Sequence, residues 1–295
     1  MTTDAVMNVD APTIALLGTG TMGLPIGSNL IRAGLPLRAW NRNADKAKPL
    51  GEQGATVAAS PGDAVSGADV VITVLYDADS VAEVMRQAAG RFAPSVTWIQ
   101  LTTVGVEGAE QLAELADELG LVYVDSPVLG TKQPAQDGAL VVLAAGPAEA
   151  RPTCQPIFDI IGSRTIWLDR PGAASKLKLV VNAWVLAMLE GIAESLTLAE
   201  GLGLDPKLFL AAVRGGGTDA PYVQLKGNGM LEGDWAPAFG LSNADKDARL
   251  ILRAAESAGL RMAITEAAHE YFERAIEAGH GDKDMSATYL AHQPS

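Results

Sequence analysis

Thr13-Ile14-Ala15-Leu16-Leu17-Gly18-Thr19-Gly20-Thr21-Met22-Gly23 is a short apolar run delivered straight into G-x-G-x-x-G. The run reads as a buried strand, and Leu24 to Ala33 after it reads as a helix. The glycines therefore sit at a strand-to-helix turn, the context that gives this fingerprint its meaning. Gly18 permits the tight turn, Gly20 lets the backbone approach a pyrophosphate, and Gly23 lets helix pack on strand. The phosphates would rest on free N–H groups at the positive end of that helix. Thr19, Thr21 and Met22 share the turn and count with the glycines as candidate cofactor contacts. A glycine-rich turn without a ligand is the competing reading, and the flanking elements favour the dinucleotide.

A second strand-like run, Pro36 to Trp40, leads into Asn41-Arg42-Asn43-Ala44-Asp45-Lys46. An NAD site usually places an acid here, about 20 residues after the glycines, to hold the ribose 2′-hydroxyl. This chain has Asn41, Arg42 and Asn43 instead. An acid would repel a 2′-phosphate, whereas Arg42 offers a planar fork of donors, and Lys46 adds charge one turn on. The segment favours NADP(H) over NAD(H). As ordinary surface cations, Arg42 and Lys46 would be unremarkable, but a basic cluster stands out in a chain of net charge −13.

The composition suits a globular enzyme. The chain has 295 residues, 48% hydrophobic, enough for one large or two ordinary domains. The strong acidity argues against nucleic acid as a partner. Cys154 is the single cysteine and reads as a bystander in a reducing, cytoplasmic setting. No stretch reaches 18 uncharged apolar residues, so no membrane span is expected. Met1 to Asp10 lack the features of a signal peptide and read as a frayed tail.

Strand-like runs recur at Val70–Val74, Val96–Gln100, Leu121–Val124 and Leu140–Ala144, with helical stretches such as Asp79–Ala89 and Glu107–Leu119 between them. That alternation predicts an α/β, parallel, doubly wound sheet. After Trp167 the character changes. Gly172 to Gly201 is almost free of helix breakers, and Pro206–Arg214, Pro221–Leu231, Leu241–Ala258 and Ile264–Ala278 also read as helices. A Rossmann domain over 1–168 followed by an all-α domain over 169–295 is expected, joined by a long helix.

That helix opens with Gly172-Ala173-Ala174-Ser175-Lys176-Leu177-Lys178-Leu179-Val180-Val181-Asn182. Lys178 and Asn182 are four apart and share a helix face. Leu179, Val180 and Val181 between them are apolar, so the helix reads as largely buried. Buried Lys is rare unless paired or functional. The spacing alone leaves two readings open: a functional pair, or a snorkelling lysine beside a satisfied core amide.

Four motifs together resemble the β-hydroxyacid dehydrogenases, a family of 3-hydroxyisobutyrate, tartronate semialdehyde and glyoxylate/succinic semialdehyde reductases. The glycine loop is Gly18 to Gly23. The substrate loop is similar to Asp125-Ser126-Pro127-Val128-Leu129-Gly130-Thr131-Lys132-Gln133-Pro134-Ala135-Gln136-Asp137-Gly138. The G-x(5)-K-x-x-x-N motif fits Gly172, Lys178 and Asn182, and F-x-L-x(4)-K-D fits Phe239, Leu241, Lys246 and Asp247. The extended substrate loop, Asn41-Arg42, and Asp219-Ala220-Pro221 with Leu225-Lys226-Gly227 look most like the glyoxylate/succinic semialdehyde branch.

The resemblance implies that Lys178 is the general acid in carbonyl reduction, with Asn182 orienting it or binding substrate. It implies that Gly130 and Thr131 hold the substrate carboxylate, that Lys246 lies near nicotinamide and substrate, and that Leu75 and Thr103 touch the cofactor. Where the family usually carries Ser in D-x-P-V-S-G, this chain has Leu129, which removes a hydrogen bond worth about 1 kcal/mol and adds apolar bulk. Tyr76 and Trp235 are further candidates for shaping the pocket. An interdomain active site is expected, with Lys178 titrating below its free value of about 10.4 because of burial and the neighbouring Lys246. A small carbonyl or hydroxyacid substrate and a homodimer or tetramer are expected as partners. His269, His280 and His292 lack metal-ligand spacing and read as solvated or structural. An imine reductase-like enzyme and a non-catalytic NADP-binding sensor are the alternatives; Lys178 argues against the first, for which Leu129 leaves room, and Lys178, Asn182 and Lys246 together argue against the second.

Overall fold

The computed structural model describes residues 11–293; the tail expected over Met1–Asp10 lies outside them. Two compact units divide the chain, Met1–Ser175 and Lys176–Ser295. The division falls a few residues beyond the Asp169–Gly172 turn, inside the helix Ala173–Gly201.

Among the described residues the first unit is built on nine strands: β1 Ile14–Leu17, β2 Leu37–Trp40, β3 Thr56–Val57, β4 Val70–Thr73, β5 Thr97–Gln100, β6 Val122–Asp125, β7 Val128–Leu129, β8 Leu140–Ala145 and β9 Gly162–Leu168. The first six run in the order β3-β2-β1-β4-β5-β6 with every pair parallel, the doubly wound order of a dinucleotide-binding sheet. Ile14 and Leu16 of β1 point into a core shared with helices Gly23–Arg32 and Arg151–Ile161. Ala15 and Leu17 point to the other side, into a core shared with Pro61–Val65, Ala78–Gln87 and Gly105–Leu119. Burial on both faces is why these strands read as unbroken apolar runs.

The sheet departs from the all-parallel expectation at one edge. β8 pairs antiparallel with both β6 and β7, and β9 then adds parallel to β8. The chain between β6 and β8 holds only the short β7 and the five-residue helix Lys132–Gln136. It therefore turns back on itself instead of making a parallel crossover.

The second unit is helical: after Ala173–Gly201 come Lys207–Val213, Pro221–Glu232, Leu241–Ser257 and Ala263–Ala275, then short turns at Ile276–His280 and Met285–Ala291. Ala173–Gly201 is the one helix among the described residues long and apolar enough to cross a membrane by length and composition. Its polar residues Lys178, Asn182 and Glu190 are nevertheless buried. Cys154 is buried in Arg151–Ile161, which pushes its thiol up to about 12.

Candidate active site

In the first unit the glycine loop follows β1 at the point where the strand order reverses, the usual ligand position in such a sheet. Gly18 has φ +105°, and a Cβ there would lie 2.1 Å from the Val74 carbonyl oxygen. A Cβ on Gly23 would meet the Gly18 oxygen at 2.0 Å. These two glycines are demanded by the turn itself. Gly20 is different: nothing lies within 4 Å of its Cβ position, so its place in the loop leaves open room for a ligand to approach the backbone. The helix beyond has no acidic residue in its first turn and no side-chain cap, which leaves its positive end available to an anion. The buried Thr19 Oγ1 has no partner among the described residues. An open backbone, an uncapped helix start and an orphaned hydroxyl fit a dinucleotide pyrophosphate.

The other proposed cofactor contacts fall in distinct surroundings. Asn41 Oδ1 accepts the Thr19 N–H at 3.0 Å, and its Nδ2 donates to the Asn43 oxygen. Asn41 thus braces the glycine loop. Asn43 caps the turn at Ala44–Lys46 by accepting the Asp45 N–H. Arg42 and Lys46 are exposed, while Asp45 in the same segment pairs with Lys48 at 2.6 Å. Thr21 is exposed, and Met22 packs on the core beneath the helix. Leu75 donates its N–H to Thr102 Oγ1 at 2.9 Å, and Thr102 is in turn held by Gln100. Thr102 was not singled out in the sequence; Thr103 beside it is half-buried. Tyr76 is exposed and Trp235 half-buried.

The loop expected to bind substrate is pinned at both ends. Asp125 ends β6, Leu129 of β7 pairs with Val141 of β8, and Asn29 Nδ2 donates to the Ala135 oxygen at 2.8 Å. Gly130 has φ +119°, and a Cβ there would press on Leu140 and Pro134. Thr131 precedes the short helix without capping it through its side chain. Leu129 is half-buried next to the exposed Gly130.

In the second unit Lys178, Asn182 and Asp247 are all buried. Asn182 Nδ2 donates to Asp247 Oδ2 at 2.7 Å, and Lys246 Nζ donates to Asp247 Oδ1 at 2.7 Å. Asp247 therefore ties together two side chains that the sequence reading singled out and takes a part that reading did not assign to it. Burial lowers Lys178 to about 8, with Asp247 opposing the drop and Lys246 adding to it. The two-lysine picture gains a carboxylate, which compensates the charge of Lys246. A buried ammonium lowered to about 8 has the properties of a proton donor and acceptor. Of the histidines, His269 lies 2.7 Å from Asp245 and His292 2.7 Å from Glu190, both paired with acids.

Comparison with known proteins identifies the family. Residues 13–169 match the family described as the NAD binding domain of 6-phosphogluconate dehydrogenase. Residues 172–291 match the one described as NAD-binding of NADP-dependent 3-hydroxyisobutyrate dehydrogenase. The chain belongs to the β-hydroxyacid dehydrogenase family. It is similar to two Arabidopsis thaliana proteins. Glyoxylate/succinic semialdehyde reductase 2, chloroplastic, is 33% identical over 94% of this chain and 78% of its own length. Glyoxylate/succinic semialdehyde reductase 1 is 32% identical over 94% of this chain and 97% of its own length. The solved structure of Mycobacterium tuberculosis 3-hydroxyisobutyrate dehydrogenase is 26% identical, with a TM-score of 0.86, covering 96% of this chain and 100% of that one. This β-hydroxyacid dehydrogenase is an NAD(P)-dependent oxidoreductase acting on the CH–OH group.

Proposed function

We propose that the chain is an NADP(H)-dependent reductase of small carbonyl acids such as glyoxylate, succinic semialdehyde or the 3-hydroxyisobutyrate-like class, with Lys178 as general acid. The observation that carries this reading is the buried Lys178, lowered to about 8 within the cluster of Asn182, Lys246 and Asp247. A nicotinamide cofactor held at the glycine loop would supply the hydride for the carbonyl carbon. Lys178 Nζ releases its proton to the carbonyl oxygen as that oxygen gains charge, and takes the proton back in the reverse direction. An ammonium placed there stabilises charge that develops only in the transition state. Asn182, held by Asp247, limits the freedom of the Lys178 face of the helix. Gly130 N–H and the Thr131 hydroxyl bind the substrate carboxylate, and Lys246 adds positive charge. Leu129 tilts the pocket toward a less polar substrate than the family Ser would. Arg42 and Lys46 would hold a 2′-phosphate, and Asn41 keeps a repelling acid out of that position.

The exposed apolar residues Val180, Trp184, Leu198 and Leu202 along the long helix support assembly as a homodimer or tetramer, which light scattering tests. The function is tested by a panel of carbonyl acids, with imines as controls, offered with NADPH and with NADH. Turnover of the acids with NADPH supports the reading. Turnover of imines alone, or of nothing in the panel, contradicts it.

A further inference from the structure

Asp125 is 1% exposed and stands at the carboxyl end of β6, in parallel register with Gln100 of β5. Both its oxygens are used by a single residue. Oδ2 accepts the Ser175 N–H at 2.8 Å, and Oδ1 accepts the Ser175 hydroxyl at 2.8 Å. Ser175 is the third residue of the helix Ala173–Gly201, so its N–H is one of those a helix start leaves unsatisfied. Two bonds to one serine fix both the height and the rotation of that first turn. Lys178 follows three residues later, on the neighbouring face about 4.5 Å along the axis.

The other side of Asp125 is the substrate loop. Ser126 follows it directly, and Gly130 and Thr131 come within six residues along a path held by β7 and Asn29. One buried carboxylate therefore marks the start of the loop and holds the start of the helix. Burial alone makes a carboxylate a costly choice for a simple structural tie. It raises Asp125 to about 6 against the pull of the two Ser175 bonds, and Tyr123 is the titratable group it faces.

We propose that Asp125 is a positioning residue: by clamping Ser175 it fixes the first turn of the helix that bears Lys178. The inference rests on the function proposed above. The protonated acid keeps both bonds, with one reversed. An asparagine does the same, accepting the Ser175 N–H through Oδ1 and donating Nδ2 to the Ser175 oxygen. Alanine keeps neither.

The test compares Asp125→Ala, Asp125→Asn and Ser175→Ala with the wild type in the full chain. Asp125→Ala is expected to lower kcat by about 10- to 100-fold, the scale of a misplaced catalytic group, with the NADPH Kd unchanged. Asp125→Asn should restore kcat to near the wild-type value. Ser175→Ala keeps the main-chain bond and should fall between, which gives a reading even where Asp125→Ala does not fold. Amide exchange over residues 173–181 reads the clamp without turnover: faster in Asp125→Ala, unchanged in Asp125→Asn. A wild-type kcat in both Asp125→Ala and Ser175→Ala overturns the proposal, as does an asparagine as impaired as alanine. Unchanged exchange in Asp125→Ala also overturns it. If the wild type turns over no carbonyl, the functional reading fails while the exchange result still decides whether the clamp exists.

Discussion

Replacing Lys178 by Met is expected to stabilise the protein while silencing it. Lys178 is buried, and its fall from 10.5 to about 8 is worth about 3 kcal/mol at about 1.4 kcal/mol per pH unit. That energy is what the folded state gives up to keep the ammonium charged at neutral pH. The unfolded lysine titrates near 10.5, so below pH 8 both states are protonated and the full penalty is present. As pH rises from 8 to 10.5 the folded state sheds its proton first and the penalty disappears. Methionine has similar length and no charge, and Asp247 keeps Lys246 and Asn182 as partners. Thermal melts of Lys178→Met and wild type near pH 7 should differ by about 5 to 10 °C in favour of the variant. The gap should close toward pH 10. A variant that melts at or below the wild type near pH 7, or a gap indifferent to pH, would refute the reasoning that Lys178 is held charged against its surroundings.

The same cluster predicts two opposite shifts in the alkaline limb of carbonyl reduction. Asp247→Asn removes the charge that supports the ammonium and should move the loss of activity below about 8, whereas Lys246→Met removes a repelling charge and should move it upward; pH profiles of kcat/KM that stay put in both variants show that the groups are not coupled. For the cofactor, kcat/KM should favour NADPH over NADH by about 10- to 100-fold, and Arg42→Ala combined with Asn41→Asp should erase or reverse that preference; steady-state kinetics with both cofactors checks it, equal use by the wild type being the adverse result. Since Asn41 also braces Thr19, the double variant should be read by NADH affinity as well, which rises only if the glycine loop survives. Leu129→Ser should improve use of glyoxylate or succinic semialdehyde, mainly through KM. Poorer activity on every small acid tested would show that Leu129 fits the native substrate.

What could be read from the sequence followed burial. β1, β2, β4, β5 and β6 lie in the middle of the sheet and carry apolar side chains to both faces, so each stands out as a run. β3 and β7 have two residues each, too few to make a pattern. β9 begins Gly162-Ser163-Arg164 with Ser163 and Arg164 exposed, as befits an outer strand. The direction of β8 was hidden for a different reason: Leu140–Ala145 is buried in the same way whichever way it runs, and only the short return from β6 decides it. At the site, Gly18 and Gly23 were legible because their backbone positions exclude other residues. Lys178 was legible because a lysine inside an apolar helix is conspicuous. Asp247 was legible as the end of the F-x-L-x(4)-K-D motif, but the part it plays was not, since its bond to Asn182 spans 65 positions. Asp125 likewise was legible as the first residue of the loop motif, but its pairing was not, its partner Ser175 lying 50 positions on.

The claim that Lys178 supplies the proton is tested most directly by measuring two quantities on the same preparations of wild type and Lys178→Met: kcat for NADPH-dependent reduction of glyoxylate and succinic semialdehyde, and the NADPH Kd by fluorescence. The account predicts that the variant loses about 10³-fold or more in kcat, the scale of a general acid, while its Kd stays within about twofold of the wild type. A variant that still turns over at a rate near the wild type, or one that loses NADPH binding along with activity, would contradict it.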